Sequence, residues 1–418
     1  MKARWGLLGA ALLGAWLSHA QDQPLHANAR RAEGHLQLRV TARTPDELER
    51  VLSLSSNVLS CAGAGVGTFD VETTTAGQSS LAAAGLPHEV VRADLGRYIE
   101  QVMAANDRLR TEPDAPFFTA YRTLDEIETR LRELAAQYPA LARLETLGSS
   151  LEGRPIRVLR VSAPGATSAR GAFVVNGGQH AREWVTPMTV MYIAERLLLE
   201  YGSDARSTGL LDKLELYLVP VMNPDGYVYT HGVNALWRKN RRRGGGACDG
   251  VDLNRNWSYG FGGEGSSADP CNDTFRGASA FSEPELLGLK ALLDSLAAER
   301  RLMLHWDVHS NGASILSPWG YTRTPPRDVE PMNRLGAVIQ SGMASVRGRS
   351  YPYGTIAVQL YLASGVATDY AYGELGAMAW GVELSGDTFM PPQAEILPIA
   401  QEGFAGLVAL SETVPARQ

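Results

Sequence analysis

Two places in the chain hold residues whose types and spacing could do chemistry. In Gly177-Gly178-Gln179-His180-Ala181-Arg182-Glu183-Trp184 an imidazole and a carboxylate stand three residues apart, just after a glycine pair that lets the backbone turn sharply. Far downstream, residues 300–309 form an apolar segment that ends in His309, followed by Ser310-Asn311-Gly312. A His with a Glu three places on is by itself an ordinary surface pair. His309 lies 126 residues beyond Glu183 (309 − 183), so it must come from a different strand end. Two imidazoles and one carboxylate are the ligands of a catalytic zinc, which takes three protein groups and keeps a place for water. His180, Glu183 and His309 therefore read as a metal site of a hydrolase.

The elements around these residues must bring them together. Residues 171–176 have the length and β-branched content of a buried strand, and 302–308, 377–384 and 214–221 read the same way. Further strands are expected at 144–149 and 157–163, and helices at 123–138, 185–201, 283–298, 330–346 and 393–414. Asn223-Pro224-Asp225-Gly226 reads as a turn. Alternating strands and long helices predict an α/β domain with a mixed, mainly parallel central sheet flanked by helices.

The N-terminal quarter is organised differently. Strand patterns at 35–40, 66–73 and 88–92 alternate with helices that start at Thr44-Pro45 and at residue 78, the second ended by Gly85. That order suits a small α+β open sandwich. The charged, Pro-containing stretch 104–117 reads as a linker, with Arg108 and Arg110 as protease sites. The expected division is residues 1–20 as a signal peptide, 21–110 as an N-terminal unit with its linker, and 111–418 as the catalytic domain.

Composition bounds the remaining possibilities. The chain has 418 residues, 44% hydrophobic and 20% charged, enough for two globular domains. A net charge of −6 argues against a nucleic-acid partner, and the second half of the basic cluster Arg238-Lys239-Asn240-Arg241-Arg242-Arg243 reads as a solvated loop. Lys2 and Arg4 precede an apolar run over 5–17, and Ser18-His19-Ala20 ends in a small residue, as a secretory signal does. That run is too short to span a bilayer, and no later one is long enough. Export, to the periplasm if the source is bacterial, places the three cysteines in an oxidising compartment. Cys248 and Cys271 flank one Gly-rich region and could close a loop worth roughly 3 kcal/mol. Cys61 is left over and reads as a small buried residue.

From about residue 115 to 415 the chain resembles the secreted zinc metallocarboxypeptidases of the pancreatic A and B type. The resemblance rests on Thr123-Leu124-Asp125-Glu126-Ile127, Glu152-Gly153-Arg154-Pro155-Ile156, His180-Ala181-Arg182-Glu183-Trp184 and Asn223-Pro224-Asp225-Gly226-Tyr227. It rests also on Leu236-Trp237-Arg238-Lys239, Gly250-Val251-Asp252-Leu253-Asn254-Arg255-Asn256-Trp257 and the strand end Val382-Glu383-Leu384. Several motifs in order over such a length are specific. The segment 35–106 is similar to the family's pro-domain.

The resemblance implies a zymogen that binds one Zn²⁺ per chain and removes C-terminal residues from peptides and proteins after cleavage by an activating protease, acting as a monomer. It casts Glu383 as the general base and Arg238 as the group that polarises the scissile carbonyl. Arg255 with Asn254 becomes the clamp for the terminal carboxylate, which a guanidinium suits because it donates two parallel hydrogen bonds. Tyr361 matches the mobile tyrosine over the bound terminus, Arg182 and Ser310 fall at the outer subsites, and Cys248 with Cys271 matches the family's disulfide.

The chain also departs from the family pattern. Asn311 replaces the tyrosine that vertebrate enzymes place after His-Ser, and Ser385-Gly386-Asp387-Thr388 replaces Arg-Asp-Thr-Gly. The floor of the specificity pocket falls at Thr368, where basic-specific members have Asp and hydrophobic-specific members Ile. Asp307 is expected to point toward the same region, where it would favour Lys or Arg. Without an acid at 368, neutral or hydrophobic C-terminal residues are expected. Two alternatives are a zinc amidase or deacylase acting on cell-wall peptides or acylated amino acids, and a non-catalytic peptide-binding relative. The first would not need Asn254, Arg255 or Tyr361. The second would be expected to lack a ligand or the base.

Overall fold

The structure, a computed structural model, describes residues 26–60, 66–112, 114–165, 170–244, 246 and 248–415. The expected signal peptide and Cys61 lie outside the described residues.

The N-terminal unit is an antiparallel sheet carrying two short helices. Its strands are β1 (His35–Ala42), β2 (Asn57–Val58), β3 (Gly67–Thr74) and β4 (His88–Arg92), in the order β2-β3-β1-β4. Thr44 caps the helix Pro45–Ser53 by accepting from the Glu47 N–H, and Thr74 caps Thr75–Ala83 through the Gly77 N–H. Leu38, Val40, Val51, Phe69, Val71 and Leu81 fill the space between sheet and helices. The expected open sandwich is present.

The expected linker is in fact helical. The helix Leu95–Thr111 is capped by Asp94 and buries Leu95, Ile99, Val102, Met103 and Asn106. Those positions recur at helical spacing, so the charges read as a linker are the solvent face of an amphipathic helix. Its apolar face joins the core of the large domain, with Tyr121 and Met390 in the same cluster. Extended backbone begins only at Glu112.

The large domain is built on β5 (Ala142–Ser149), β6 (Pro155–Val161), β7 (Gly171–Asn176), β8 (Leu214–Val219), β9 (Leu302–Ser310), β10 (Ser314–Ser317), β11 (Tyr353–Thr355) and β12 (Met378–Leu384). The order is β11-β10-β12-β9-β7-β8-β6-β5. Pairs β7/β8, β7/β9, β9/β12 and β10/β11 are parallel; β5/β6, β6/β8 and β10/β12 are antiparallel. The mixed, mainly parallel sheet is therefore as expected.

Side-chain alternation along β7 divides the core. Phe173 and Val175 face the helices Val185–Glu200 and Ile396–Glu412, while Ala172 and Val174 face Pro284–Ala298. Both faces are covered, which is why β7 and β8 are buried throughout. Asn223 does not open a simple turn: its side chain accepts from the Gly226 N–H and starts the helix Pro224–Gly232. No helix among the described residues is long and apolar enough to cross a membrane.

Candidate metal centre and active-site cleft

The turn after β7 depends on glycine. Gly178 has φ +62°, and a Cβ there would lie 3.1 Å from the Pro220 carbonyl oxygen. The Gly178 N–H donates to Thr186 Oγ1 (2.9 Å), whose hydroxyl donates to the Glu183 carbonyl (2.9 Å). His180 and Glu183 are thus held on a short loop between β7 and the helix Val185–Glu200.

Strand register supplies the rest of the site. Parallel β7 and β9 align Asn176 with Asp307, so His309 projects from the same sheet edge as the loop. On the other side of β9, parallel β12 places Glu383 directly across from His309. The site gathers at the C-terminal ends of adjacent parallel strands, where α/β sheets bind their ligands.

The three candidate ligands meet. His180 Nδ1 lies 2.8 Å from Glu183 Oε1, His309 Nδ1 lies 3.0 Å from Glu183 Oε2, and the two Nδ1 atoms are 3.1 Å apart. One ligand atom from each falls within 4.8 Å of the others, and all three residues are buried.

Behind the rings, His180 Nε2 faces Asp252 Oδ1 at 3.1 Å and His309 Nε2 faces Asp307 Oδ2 at 2.8 Å. A proton on each Nε2, donated to its carboxylate, leaves each Nδ1 with a lone pair aimed at the common point. Such a donor set fits a zinc ion. Burial opposes ionisation of Glu183, but His180 and His309 outweigh it and hold the carboxyl far below its usual range.

Asp252 carried no expected role although it lies inside a quoted motif. The signal was an acid flanked by apolar residues, Val251-Asp252-Leu253. Its Oδ2 accepts from Arg238 Nε (3.1 Å) and Nη2 (2.9 Å), and burial is outweighed by Arg238 and His180, which keep it ionised. Arg238 Nη1 then lies 3.2 Å from His180 Nδ1, next to the metal point.

Arg255 is fixed by the carbonyls of Gly265 (2.8 Å) and Asn254 (2.7 Å), and its Nη2 donates to the Tyr361 hydroxyl (3.2 Å). Asn254 is engaged at both ends, donating to Asp307 Oδ2 (3.0 Å) and accepting from the Ala367 N–H (2.9 Å). Ser310 meets the site through its backbone N–H, 3.3 Å from Glu183 Oε2. A cleft of about 460 Å³, counting its open mouth, is lined by His180, Arg238, Arg255, Tyr361, Thr368 and Glu383 among others.

Two expected substrate contacts are already engaged by other groups of the protein. Asp307 reaches the back of the cleft, but its oxygens already serve Asn176 (2.6 Å), Gln179 (3.0 Å), Asn254 and His309, so it orients a ligand rather than meeting a basic side chain. Arg182 is turned toward the N-terminal unit, donating to Asn57 Oδ1 (2.9 Å) and the Val58 carbonyl (3.2 Å), with its guanidinium 4.2 Å over the Phe389 ring. Cys248 and Cys271 form a disulfide. In the basic cluster, Arg238, Lys239, Asn240 and Arg241 are buried while Arg243 is exposed.

Comparison with known proteins points the same way. Residues 127–406 match the zinc carboxypeptidase family model. Carboxypeptidase A1 of Bos taurus is 34% identical over 398 residues, 91% of this chain and 93% of that one. The crystal structure of carboxypeptidase A from Helicoverpa armigera superimposes with a TM-score of 0.81 at 27% identity, covering 92% of this chain and 99% of the other. Thrombin activatable fibrinolysis inhibitor superimposes with a TM-score of 0.82 at 25% identity, covering 91% and 99%.

Proposed function

The chain belongs to the zinc carboxypeptidase family, and from that premise we propose that it is made as a secreted zymogen whose trimmed form releases neutral or hydrophobic C-terminal residues. It is a zinc-dependent metallocarboxypeptidase that acts on peptide C-termini. The observation that carries the residue assignment is the convergence of His180, Glu183 and His309 beside Glu383, its strand neighbour across from His309.

His180, Glu183 and His309 would hold a zinc ion, which would supply Lewis-acid chemistry to the site. Glu383 would act as the general base, taking a proton from the attacking water and returning it to the leaving amine. Arg238, steadied by Asp252, donates to the carbonyl oxygen as negative charge develops. Arg255 and the Tyr361 hydroxyl, 3.2 Å apart, receive the terminal carboxylate. A site built around a free terminal carboxylate favours this reading over an amidase or deacylase. Chelation should abolish amino-acid release and zinc restore it. Equal turnover of C-terminally amidated and free peptides would point to the amidase instead.

Residues 21–110 act as the inhibitory unit, because Asn57 and Val58 occupy the guanidinium of Arg182, two residues past the ligand His180. A match to a thrombin activatable relative across nearly its whole length supports control by proteolysis. Arg108 and Arg110 lie in the last turns of the helix Leu95–Thr111, and Arg110 pairs with Glu126 at 3.1 Å. Cleavage there requires the helix end to open first. Limited trypsin digestion with sequencing of the new N-terminus tests this; equal activity of intact and trimmed chain refutes it. Export is supported by residues 1–20 and by the Cys248–Cys271 disulfide.

A further inference from the structure

The inner end of the cleft is apolar on nearly every side. Leu316, Ile356, Ala363 and Val366 form a small buried cluster there, with Leu360 against it. Gly381 leaves the β12 wall open, since a Cβ added to it would meet nothing closer than 3.8 Å.

One polar group interrupts this surface. Thr368 is 2% exposed, and among the described residues its hydroxyl has no hydrogen-bond partner. It occupies the second position of the helix Ala367–Gly373, where no helical turn precedes it to offer a carbonyl to its hydroxyl. An unpaired buried hydroxyl is unfavourable, and its χ1 rotation can carry it toward the cleft. Among the described residues no charged group is hydrogen-bonded to it. The neighbouring Asp369 carboxylate accepts from the Gly320 and Tyr321 N–H groups, and Asp307 is saturated behind His309. A charged tip at this depth would lie without a counter-ion.

Resting on the carboxypeptidase reading, we propose that Thr368 makes the pocket a reader of uncharged polar side-chain tips, preferring C-terminal residues with an apolar stem and a hydrogen-bonding end such as Gln, Asn or Tyr. The apolar walls hold the stem, and the tip supplies the partner that the hydroxyl lacks. A purely apolar residue of the same shape leaves that hydroxyl unpaired.

The test uses the zinc-loaded full chain, before and after limited trypsin digestion, on N-blocked dipeptides paired by shape: Met against Gln, Leu against Asn, Phe against Tyr, with Lys added. Wild type and T368S should share similar polar-to-apolar ratios of kcat/KM. In T368V the polar-to-apolar ratio of kcat/KM should fall about tenfold in each pair, the scale of one hydrogen bond. The unfolding midpoint and zinc content of T368V, compared with wild type, serve as the folding control. Unchanged ratios in T368V, or Lys as the fastest substrate, overturn the proposal while leaving the carboxypeptidase intact. No release from any substrate by the trimmed wild type overturns the carboxypeptidase reading and this one with it.

Discussion

Asp252 and Arg238 are joined through one carboxylate oxygen, while the other oxygen of Asp252 faces His180. A single buried acid thus orients a metal ligand and the guanidinium assigned to the oxyanion. Asp252→Asn should weaken zinc binding by about 10- to 100-fold, the usual consequence of losing a carboxylate behind a ligand histidine. It should also lower kcat/KM, because an amide presents Arg238 with a donor. Competition with a zinc chelator measures the first effect, and unchanged affinity would show that Asp252 does not orient His180.

Glu402 ties down the strand end that carries Glu383. Its carboxylate accepts from Arg347 Nε (2.6 Å), the Tyr351 hydroxyl (2.5 Å) and Ser385 Oγ (2.6 Å), and Ser385 lies two residues past Glu383. Glu402→Gln leaves part of this buried network unmatched and should destabilise by roughly 2–4 kcal/mol. The check is a lower urea midpoint at unchanged slope. A fall in kcat at unchanged KM under native conditions would follow from a displaced base.

Asp369 makes stability depend on pH. Burial, only partly countered by the Gly320 and Tyr321 N–H groups, pushes its carboxyl up from 3.8 to about 7. Between those values the folded chain holds a proton that the unfolded chain has lost. The resulting contribution is full below about pH 4 and is lost as pH rises through 7. Its size is on the order of 4 kcal/mol. Asp369→Asn should flatten that part of the unfolding profile, and an unaltered slope between pH 4 and 7 would show that another group sets it.

Cys248 and Cys271 close a loop with a sequence separation of 23. Replacing both by Ser should cost roughly 3 kcal/mol through greater freedom of the unfolded chain. The measurement is the unfolding midpoint of the double variant, compared with wild type with and without reductant. The metal site itself should survive, since neither cysteine lines the cleft.

Much of this protein was legible along the chain, because its signals are local. Apolar runs of strand length marked β7, β9 and β12, the helix expected at 123–138 is the helix Leu124–Gln137, and His180 with Glu183 stand within one turn of chain. The residues at 104–112 misled because a charged helix face and a linker have the same composition. Only packing against Tyr121 and Met390 tells them apart.

Residue types and spacing were enough to name three ligands, since coordination chemistry constrains which side chains can serve, and the resemblance to the zinc metallocarboxypeptidases supplied a base and two guanidiniums. They could not say which acid stands behind which imidazole. Strand register and burial decided that Asp307 is saturated behind His309, that Asp252 links His180 to Arg238, and that Arg182 is held by Asn57. Each of those outcomes depends on groups more than fifty residues apart in the chain coming within 4 Å, or on one carboxylate being claimed by several donors at once. No local pattern of residues encodes such competition; the folded core alone settles it.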